Sequence, residues 1–207
     1  MKSESSSPAS TRLGMLLLVS GPSGSGKTTL CRRAADAGLA SYATSCTTRA
    51  PRPGEVHGTD YFFLSTDEFK QKISDDCLLE YAEVHGNFYG TLKSEVFTHI
   101  EAGTDVVMDI DVQGAEQIRN CDDPIIQQAL VELFVMPGTE AELRARLTGR
   151  GTDSDEIIET RMKNSLEEME HWDKYTYLLL SSDRETDYQK FQAILSAEAL
   201  SVSRLLD

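Results

Sequence analysis

The octapeptide GPSGSGKT, residues 21–28, is the part of the chain whose residue types and spacing are best suited to chemistry. It fits the pattern GxxxxGK[ST], in which glycines let backbone N–H groups converge on phosphate oxygens. The pattern predicts that Lys27 reaches the β- and γ-phosphates of a nucleoside triphosphate and that the Thr28 hydroxyl is a ligand of Mg²⁺. A tight turn that caps a helix is the alternative. The candidate phosphate-loop residues are Gly21, Pro22, Ser23, Gly24, Ser25, Gly26, Lys27, Thr28 and Thr29.

A second candidate is the segment VVMDID, residues 106–111, which places two carboxylates at the end of an apolar run. Asp109 or Asp111 could hold Mg²⁺, directly or through water. An aspartate after a buried strand is also an ordinary helix cap, so the segment gains weight only beside the glycine-rich loop.

The third candidate, SCTTRAPRPGEVHGTDYFF at residues 45–63, could bind a second phosphate. Arg49 and Arg52 lie three residues apart, and two prolines stiffen the backbone around them. Two guanidinium groups can grip a phosphate in bidentate fashion, and Glu55 could orient one of them. A solvated Arg–Glu surface pair is the alternative, and such pairs contribute little energy.

Alternating strands and helices must position these groups. Apolar runs at residues 13–20, 104–111 and 129–136 predict buried strands, and residues 28–37 predict a helix that ends at Gly38. Residues 140–147, 155–171 and 188–206 also have helical patterns. Strands that alternate with helices favour an α/β fold, with a parallel sheet covered on both faces.

Residues 41–90 differ from the rest in texture. Short aromatic-rich pieces, DYFFLS and LLEYAEVHGNFYG, are separated by Gly and Pro and predict small antiparallel strands. We therefore expect an insertion with its own fold.

The composition limits the function classes. The chain of 207 residues has a formal net charge of −14, which argues against nucleic-acid binding because that requires a positive surface. No apolar stretch is long enough to span a bilayer, so no membrane partner is expected. The four cysteines form no CxxC pair, which favours a reducing cytoplasm.

Taken together, the motifs resemble the guanylate kinase family. The resemblance rests on the glycine-rich loop, TTRAPRPGEVHGTDYFF, EYAEVHGNFYGT, DIDVQGA and RLTGRGTDSDE, which occur in the family's order. It implies ATP-dependent, Mg²⁺-assisted phosphorylation of GMP to GDP on a P-loop α/β core. Its expected parts are a disordered tail (1–12), a core (13–44 and 92–207) with a helical lid at about 138–170, and a β-rich GMP-binding subdomain (45–91).

The resemblance also implies roles for individual residues. Ser45 and Glu80 match the pair that reads guanine, and Thr91 and Asp111 match contacts near the base. The residues that match the grip on the GMP phosphate are Arg49, Arg52, Tyr61 and Tyr89, and Glu55 matches the carboxylate beside the phosphate site. Arg146, Arg150 and Arg161 match lid arginines that close over the triphosphate.

Two positions depart from the family pattern. Ser182 stands where the family often has Asn, which bears on the adenine contacts, and Ser165 stands where alanine is frequent. One rival interpretation is an inactive guanylate-kinase-like domain that binds phosphorylated partners, although such domains usually have a damaged phosphate loop. The other rival is a GTPase switch, which would need an NKxD element to read guanine, and this sequence contains none. The sequence leaves monomer or homo-oligomer undecided.

Overall fold

The computed structural model describes residues 12–84, 86–148 and 155–205. Its strands are β1 Leu16–Ser20, β2 Ser41–Tyr42, β3 Ser45–Thr47, β4 Phe62–Phe63, β5 Leu78–Val84, β6 Asn87–Leu92, β7 Val106–Asp109, β8 Leu130–Met136 and β9 Tyr177–Leu180. Its helices are α1 Lys27–Asp36, α2 Thr66–Ser74, α3 Lys93–Ile100, α4 Val112–Arg119, α5 Pro124–Ala129, α6 Glu140–Thr148, α7 Asp155–Met169 and α8 Arg184–Glu198.

The central sheet has five parallel strands in the order β2-β7-β1-β8-β9. In its register Val19 of β1 lies opposite Asp109 of β7, and Ser20 lies opposite Phe134 of β8. The carboxyl ends of three neighbouring strands therefore meet at one edge, where the glycine-rich loop begins. The predicted α/β architecture with a parallel core is confirmed.

Each face of the central sheet packs on its own set of helices, because successive side chains of a strand point to opposite faces. Leu17 belongs to a cluster that includes Leu30 of α1 and Phe191 of α8. Leu16 belongs to the opposite cluster, with Ile100 of α3. The near-continuous apolar sequence of β1 is thus explained by burial on both sides.

The second sheet, in the order β4-β3-β6-β5, is small and mixed. The predicted antiparallel strands are present as β3-β6 and β5-β6, whereas β3 and β4 pair in parallel. The sequence analysis missed helix α2, which begins with a reciprocal capping box between Ser65 and Glu68 and buries Phe69 against Cys46. Phe69 gives this sheet a small apolar core of its own.

The carboxyl-terminal helix differs from its prediction over residues 188–206. Helix α8 begins at Arg184, because the Asp183 side chain accepts hydrogen bonds from the backbone N–H groups of Glu185 and Thr186. It ends at Glu198, and Val202–Arg204 form a short 3-10 helix. Upstream of it, α6 and α7 pack through Leu143 and Ile158 into a separate helical unit.

Within the described residues, no helix has the length and apolar character needed to cross a membrane.

Because the centre of β1 is fully buried, truncating a side chain there should lower stability strongly. We expect Leu17→Ala to lower the free energy of unfolding by about 2–5 kcal/mol, because it removes a fully buried side chain from the core. Leu200→Ala is the matched control, since Leu200 is 83% exposed, and should change stability by less than about 0.5 kcal/mol. Chemical denaturation of both variants measures this. Equal losses would contradict the packing described above.

Candidate active site

The glycine-rich loop runs from the end of β1 to the start of α1. Gly21 has a φ of 136°, and a Cβ there would lie 2.2 Å from the Val135 carbonyl oxygen of β8. Gly26, at the N-terminus of α1, has a φ of 103°. Residues with side chains rarely adopt these conformations, so the glycines are required by the shape of the loop. The loop leads directly into the N-terminus of α1, where free backbone N–H groups form the positive end of the helix dipole and favour an anion.

Lys27 lies folded back over this loop. Its Nζ donates to the carbonyl oxygens of Gly21, at 2.5 Å, and Pro22, at 3.0 Å. Burial lowers the pKa of Lys27, and the nearby Asp109 and Glu168 oppose that shift. The ammonium group is therefore held at the mouth of the loop.

Two arginines of the helical unit reach the same loop. Arg146 of α6 donates to the hydroxyl of Ser181 at 3.1 Å and lies 3.5 Å from the Ser25 carbonyl oxygen. Arg161 of α7 lies 3.5 Å from the Ser23 hydroxyl. The structure thus brings together these two arginines and the loop, while Arg150 falls outside the described residues.

The carboxylate of Asp109 is fixed by two hydroxyl groups. Thr28 Oγ1 donates to Asp109 Oδ2 at 2.5 Å, and Tyr42 Oη donates to Asp109 Oδ1 at 2.5 Å. Burial, followed by the charge of Asp109, raises the pKa of Tyr42, so its hydroxyl stays protonated. Asp111 has a different environment, because its Oδ1 accepts from the Gly114 N–H and caps α4.

Two cavities meet at this carboxylate. The larger, of about 770 Å³, is lined by the glycine-rich loop and by Arg33, Arg146, Ser182, Arg184 and Asp187. The smaller, of about 380 Å³, is lined by Ser45, Tyr61, Glu80, Tyr89 and Asp111. Ser23 and Asp109 line both. Molecules in the two cavities would therefore approach one another beside Asp109 and the loop.

Glu80 is the most unusual group in the smaller cavity. It is only 7% exposed, and burial raises its pKa to about 7. The negative charge of Asp111 also raises this pKa, whereas a hydrogen bond from Thr91 lowers it. Thr91 in turn lies 3.3 Å from the Ser45 hydroxyl. A buried carboxyl of this kind is characteristic of functional sites.

Arg49 is held by an ion pair beside Tyr61, a residue that lines this cavity. Its guanidinium donates to both Glu55 oxygens, at 3.0 and 2.9 Å, and lies 5.5 Å from the centre of the Tyr61 ring. The hydrogen bonds to Glu55 raise the pKa of Arg49, and those from Arg49 lower the pKa of Glu55. Tyr61 packs edge-on against Tyr89. Arg52 has an exposed side chain, and its backbone N–H donates to Glu55 Oε2 at 2.7 Å, so the structure places it beside the Arg49–Glu55 pair but not among the residues that line the cavity.

The sequence analysis missed two carboxylates of the site. Asp187 is buried in α8 and accepts hydrogen bonds from the hydroxyls of Ser181 and Ser182 and from the Ser182 N–H. Burial raises the pKa of Glu168 on α7, and the charge of Lys27 lowers it. Both lie on helices that are remote in sequence from the loop, so no local pattern in the sequence indicated that they are close to it.

Comparison with known proteins agrees with this geometry. The guanylate kinase family model matches residues 14–198. The chain belongs to the guanylate kinase family. The resemblance inferred from the motifs is therefore confirmed over nearly the whole chain.

Individual family members are similar over most of their length. The guanylate kinase of Ruegeria pomeroyi is 46% identical over 191 residues, covering 91% of this chain and 88% of that protein. The guanylate kinase of Escherichia coli is 43% identical, covering 92% and 91% respectively. The crystal structure of guanylate kinase from Anaplasma phagocytophilum superposes with a TM-score of 0.76 at 29% identity, over 95% of this chain and 92% of that one.

Because Glu80 is buried, replacing it with a neutral residue should stabilise the protein in a pH-dependent way. Between pH 4.5 and about 7 the unfolded carboxyl is ionised while the native one keeps its proton, so wild-type stability falls as pH rises. We expect Glu80→Gln to be more stable than wild type at pH 8, by on the order of 2 kcal/mol, and to lose this advantage below pH ~5. Denaturant melts across this range measure it.

Glu83→Gln is the matched control, because Glu83 lies exposed on the same strand. It should show no such pH-dependent advantage. An advantage of Glu80→Gln that is independent of pH would contradict the burial cost assigned to the carboxylate.

Proposed function

We propose that the chain transfers the γ-phosphoryl group of ATP to a phosphate oxygen of GMP, yielding ADP and GDP. The observation that supports this most strongly is the junction of the two cavities at Ser23 and Asp109, beside a phosphate-binding loop. Two nucleotides bound in these cavities would bring donor and acceptor phosphates together. Family membership gives the same reaction.

The donor nucleotide would occupy the larger cavity. Backbone N–H groups of residues 23–29 bind its phosphates, and Lys27 moves from the carbonyl oxygens of Gly21 and Pro22 onto the β- and γ-phosphates. Ser25 supports this assignment, because its buried hydroxyl has no hydrogen-bond partner within the described residues. A buried polar atom of this kind is expected to bind a ligand.

Arg146, Arg150 and Arg161 would neutralise charge on the triphosphate from the lid side. The first and third already approach the loop. Asp187 and Ser182 would border the adenine end of the cavity. Ser182 stands where the family often has an amide. Its hydroxyl already donates to Asp187, so toward the adenine it presents an oxygen that can accept a hydrogen bond.

The residues around Asp109 fit a magnesium ion that arrives with the nucleotide. Among the described residues no cluster of three His, Cys, Asp or Glu side chains could hold a metal alone. Mg²⁺ commonly needs only one or two protein oxygens, with phosphates and water completing its shell. Thr28 and Asp109 supply such oxygens. The ion would neutralise charge on the transferred phosphoryl group.

The acceptor would occupy the smaller cavity, with its phosphate toward Arg49, Tyr61 and Tyr89. Glu55 holds the Arg49 guanidinium in a fixed plane, which suits bidentate binding of phosphate. Arg52 would have to swing inward from its exposed position to join them.

Glu80, Ser45, Thr91 and Asp111 would read the base. Guanine presents N1–H and a 2-amino group side by side, and the Glu80 carboxylate can accept both. Adenine lacks the 2-amino group and has a lone pair at N1, so it would leave the buried carboxylate without partners. Sites built on required hydrogen bonds can reject such analogues by ~10⁴-fold.

Catalysis would consist of positioning and charge neutralisation. In-line attack by a GMP phosphate oxygen displaces ADP, and no covalent enzyme intermediate is required. We further propose the division into core, GMP-binding subdomain and lid given above, with solvent excluded when both substrates are bound. The four cysteines are free thiols, which suits the proposed reducing cytoplasm.

A panel of acceptors tests the function directly. With Mg·ATP we expect ADP release with GMP and none above background with AMP, CMP or UMP. Glu80→Gln should lower kcat/KM for GMP by about 10²- to 10⁴-fold, since the paired hydrogen bonds to guanine are lost. Turnover with AMP or UMP would contradict the base-reading role. A folded chain inactive with all four acceptors would favour the phosphopeptide-binding alternative.

The role of Arg49 can be tested separately. Arg49→Lys keeps the charge but loses the planar fork, so kcat/KM for GMP should fall by about 10- to 100-fold while KM for ATP changes little. Arg12→Lys is the matched control, because Arg12 forms an ion pair with Asp105 before β1, at the opposite end of the strand from the loop. Equal kinetic effects of the two changes would exclude a specific contact between Arg49 and GMP.

A further inference from the structure

Four side chains form a continuous path between the two halves of the site. Asp60 Oδ1 accepts from Arg32 Nη2 at 3.1 Å, and the Arg32 guanidinium lies over the Tyr42 ring, 5.1 Å from its centre. Tyr42 Oη donates to Asp109 Oδ1 at 2.5 Å. We call Asp60, Arg32, Tyr42 and Asp109 the Asp60–Asp109 path.

One end of the path organises the acceptor side. The second oxygen of Asp60 accepts from the Val56 N–H at 2.9 Å, so this carboxylate closes the turn over residues 56–60. The next residue is Tyr61, which lines the smaller cavity and packs against Tyr89. A shift of this turn on GMP binding would therefore move Asp60.

The other end fixes the donor side. Because Tyr42 binds one oxygen of Asp109 and Thr28 binds the other, the carboxylate plane has a single orientation. Tyr42 is the last residue of β2, the edge strand beside β7, and Arg32 lies on α1 directly after the phosphate loop. Arg32 thus links α1 to β2 and to the turn that precedes Tyr61.

We propose that Arg32 and Tyr42 are positioning residues that couple acceptor binding to donor binding by orienting Asp109. This inference rests on the proposed function, because it assigns GMP and Mg·ATP to the two cavities. The two side chains of the Arg32–Asp60 pair are 36% and 28% exposed, so the pair contributes little to stability. The pair acts instead by fixing the orientation of neighbouring side chains. Thermodynamic linkage requires each nucleotide to increase the affinity for the other by the same factor.

Titration calorimetry measures this coupling without turnover. The affinity for a non-hydrolysable ATP analogue with Mg²⁺ is determined with and without saturating GMP, and the ratio is the coupling factor. We expect wild type to show a factor within the usual range of about 5 to 150. Tyr42→Phe, Arg32→Met and Asp60→Asn should each lower it about threefold or more, and the double variant Arg32→Met/Asp60→Asn should lose no more than the larger single effect.

Two matched controls test whether the loss of any comparable hydrogen bond or ion pair lowers the coupling factor. Tyr177→Phe removes a tyrosine–carboxylate hydrogen bond of the same 2.5 Å length, to Glu198, and Lys93→Met removes a partly exposed ion pair with Asp76. Both should keep the wild-type coupling factor. Without Mg²⁺ the effect of Tyr42→Phe should shrink, because Asp109 then has no ion to orient toward.

The outcomes separate the path from the proposed function. Unchanged coupling in Tyr42→Phe and Arg32→Met, a factor of one in wild type, or equal losses in the controls would each overturn the inference. If the wild-type protein phosphorylates GMP in those cases, the proposed function still stands. Wild type that shows path-dependent coupling but transfers no phosphoryl group would contradict the function and support the path.

Discussion

The parallel pairing of β1 with β7 is the constraint on which the site depends. It places Val19 opposite Asp109, so the carboxylate lies beside the first residues of the phosphate loop and within reach of Thr28. A slip of one residue would move the side chains of β1 to the opposite face of the sheet and disrupt the packing of both apolar clusters. The positions of Asp109 and of the loop are therefore set by the same hydrophobic register that stabilises the fold, and both cavities open on that edge.

Charge is distributed so that a strongly acidic chain can still bind anionic nucleotides. The net charge is −14, yet Lys27, Arg49, Arg146 and Arg161 converge near the cavities. Lys27 is held by carbonyl oxygens and Arg49 by Glu55, so each cation has a defined position before a ligand binds. Such preorganisation lowers the ordering cost of binding. The remaining negative surface favours solubility, so anionic nucleotides must be attracted by this local cluster of basic residues.

Two buried polar groups show where the fold gives up stability. Ionised Glu80 is desolvated beside Asp111, and the Ser25 hydroxyl lacks a partner among the described residues. Neither is needed for packing, because the apolar clusters on the two faces of the central sheet are complete without them. In the proposed complexes, Glu80 would accept hydrogen bonds from the guanine edge and the Ser25 hydroxyl would donate one to a phosphate oxygen. Strain and unpaired polar atoms concentrate at functional sites for this reason.

The phosphate loop, the parallel α/β core and the candidate carboxylates could all be predicted from the sequence, because glycine spacing and apolar runs are local signals of backbone conformation and of burial. The sequence indicated less about the inserted sheet, where α2 and the parallel β3-β4 pair were missed, and it placed the start of α8 four residues too late. Two contacts became visible only in the folded chain: Tyr42 shares Asp109 with Thr28, and Asp187 holds Ser182. Tyr42 and Thr28 lie far from Asp109 in the chain, and the pairing of strands brings them together. Ser182 and Asp187 are close in the chain, but their contact depends on how α8 packs beside β9. No local pattern encodes strand pairing or helix packing.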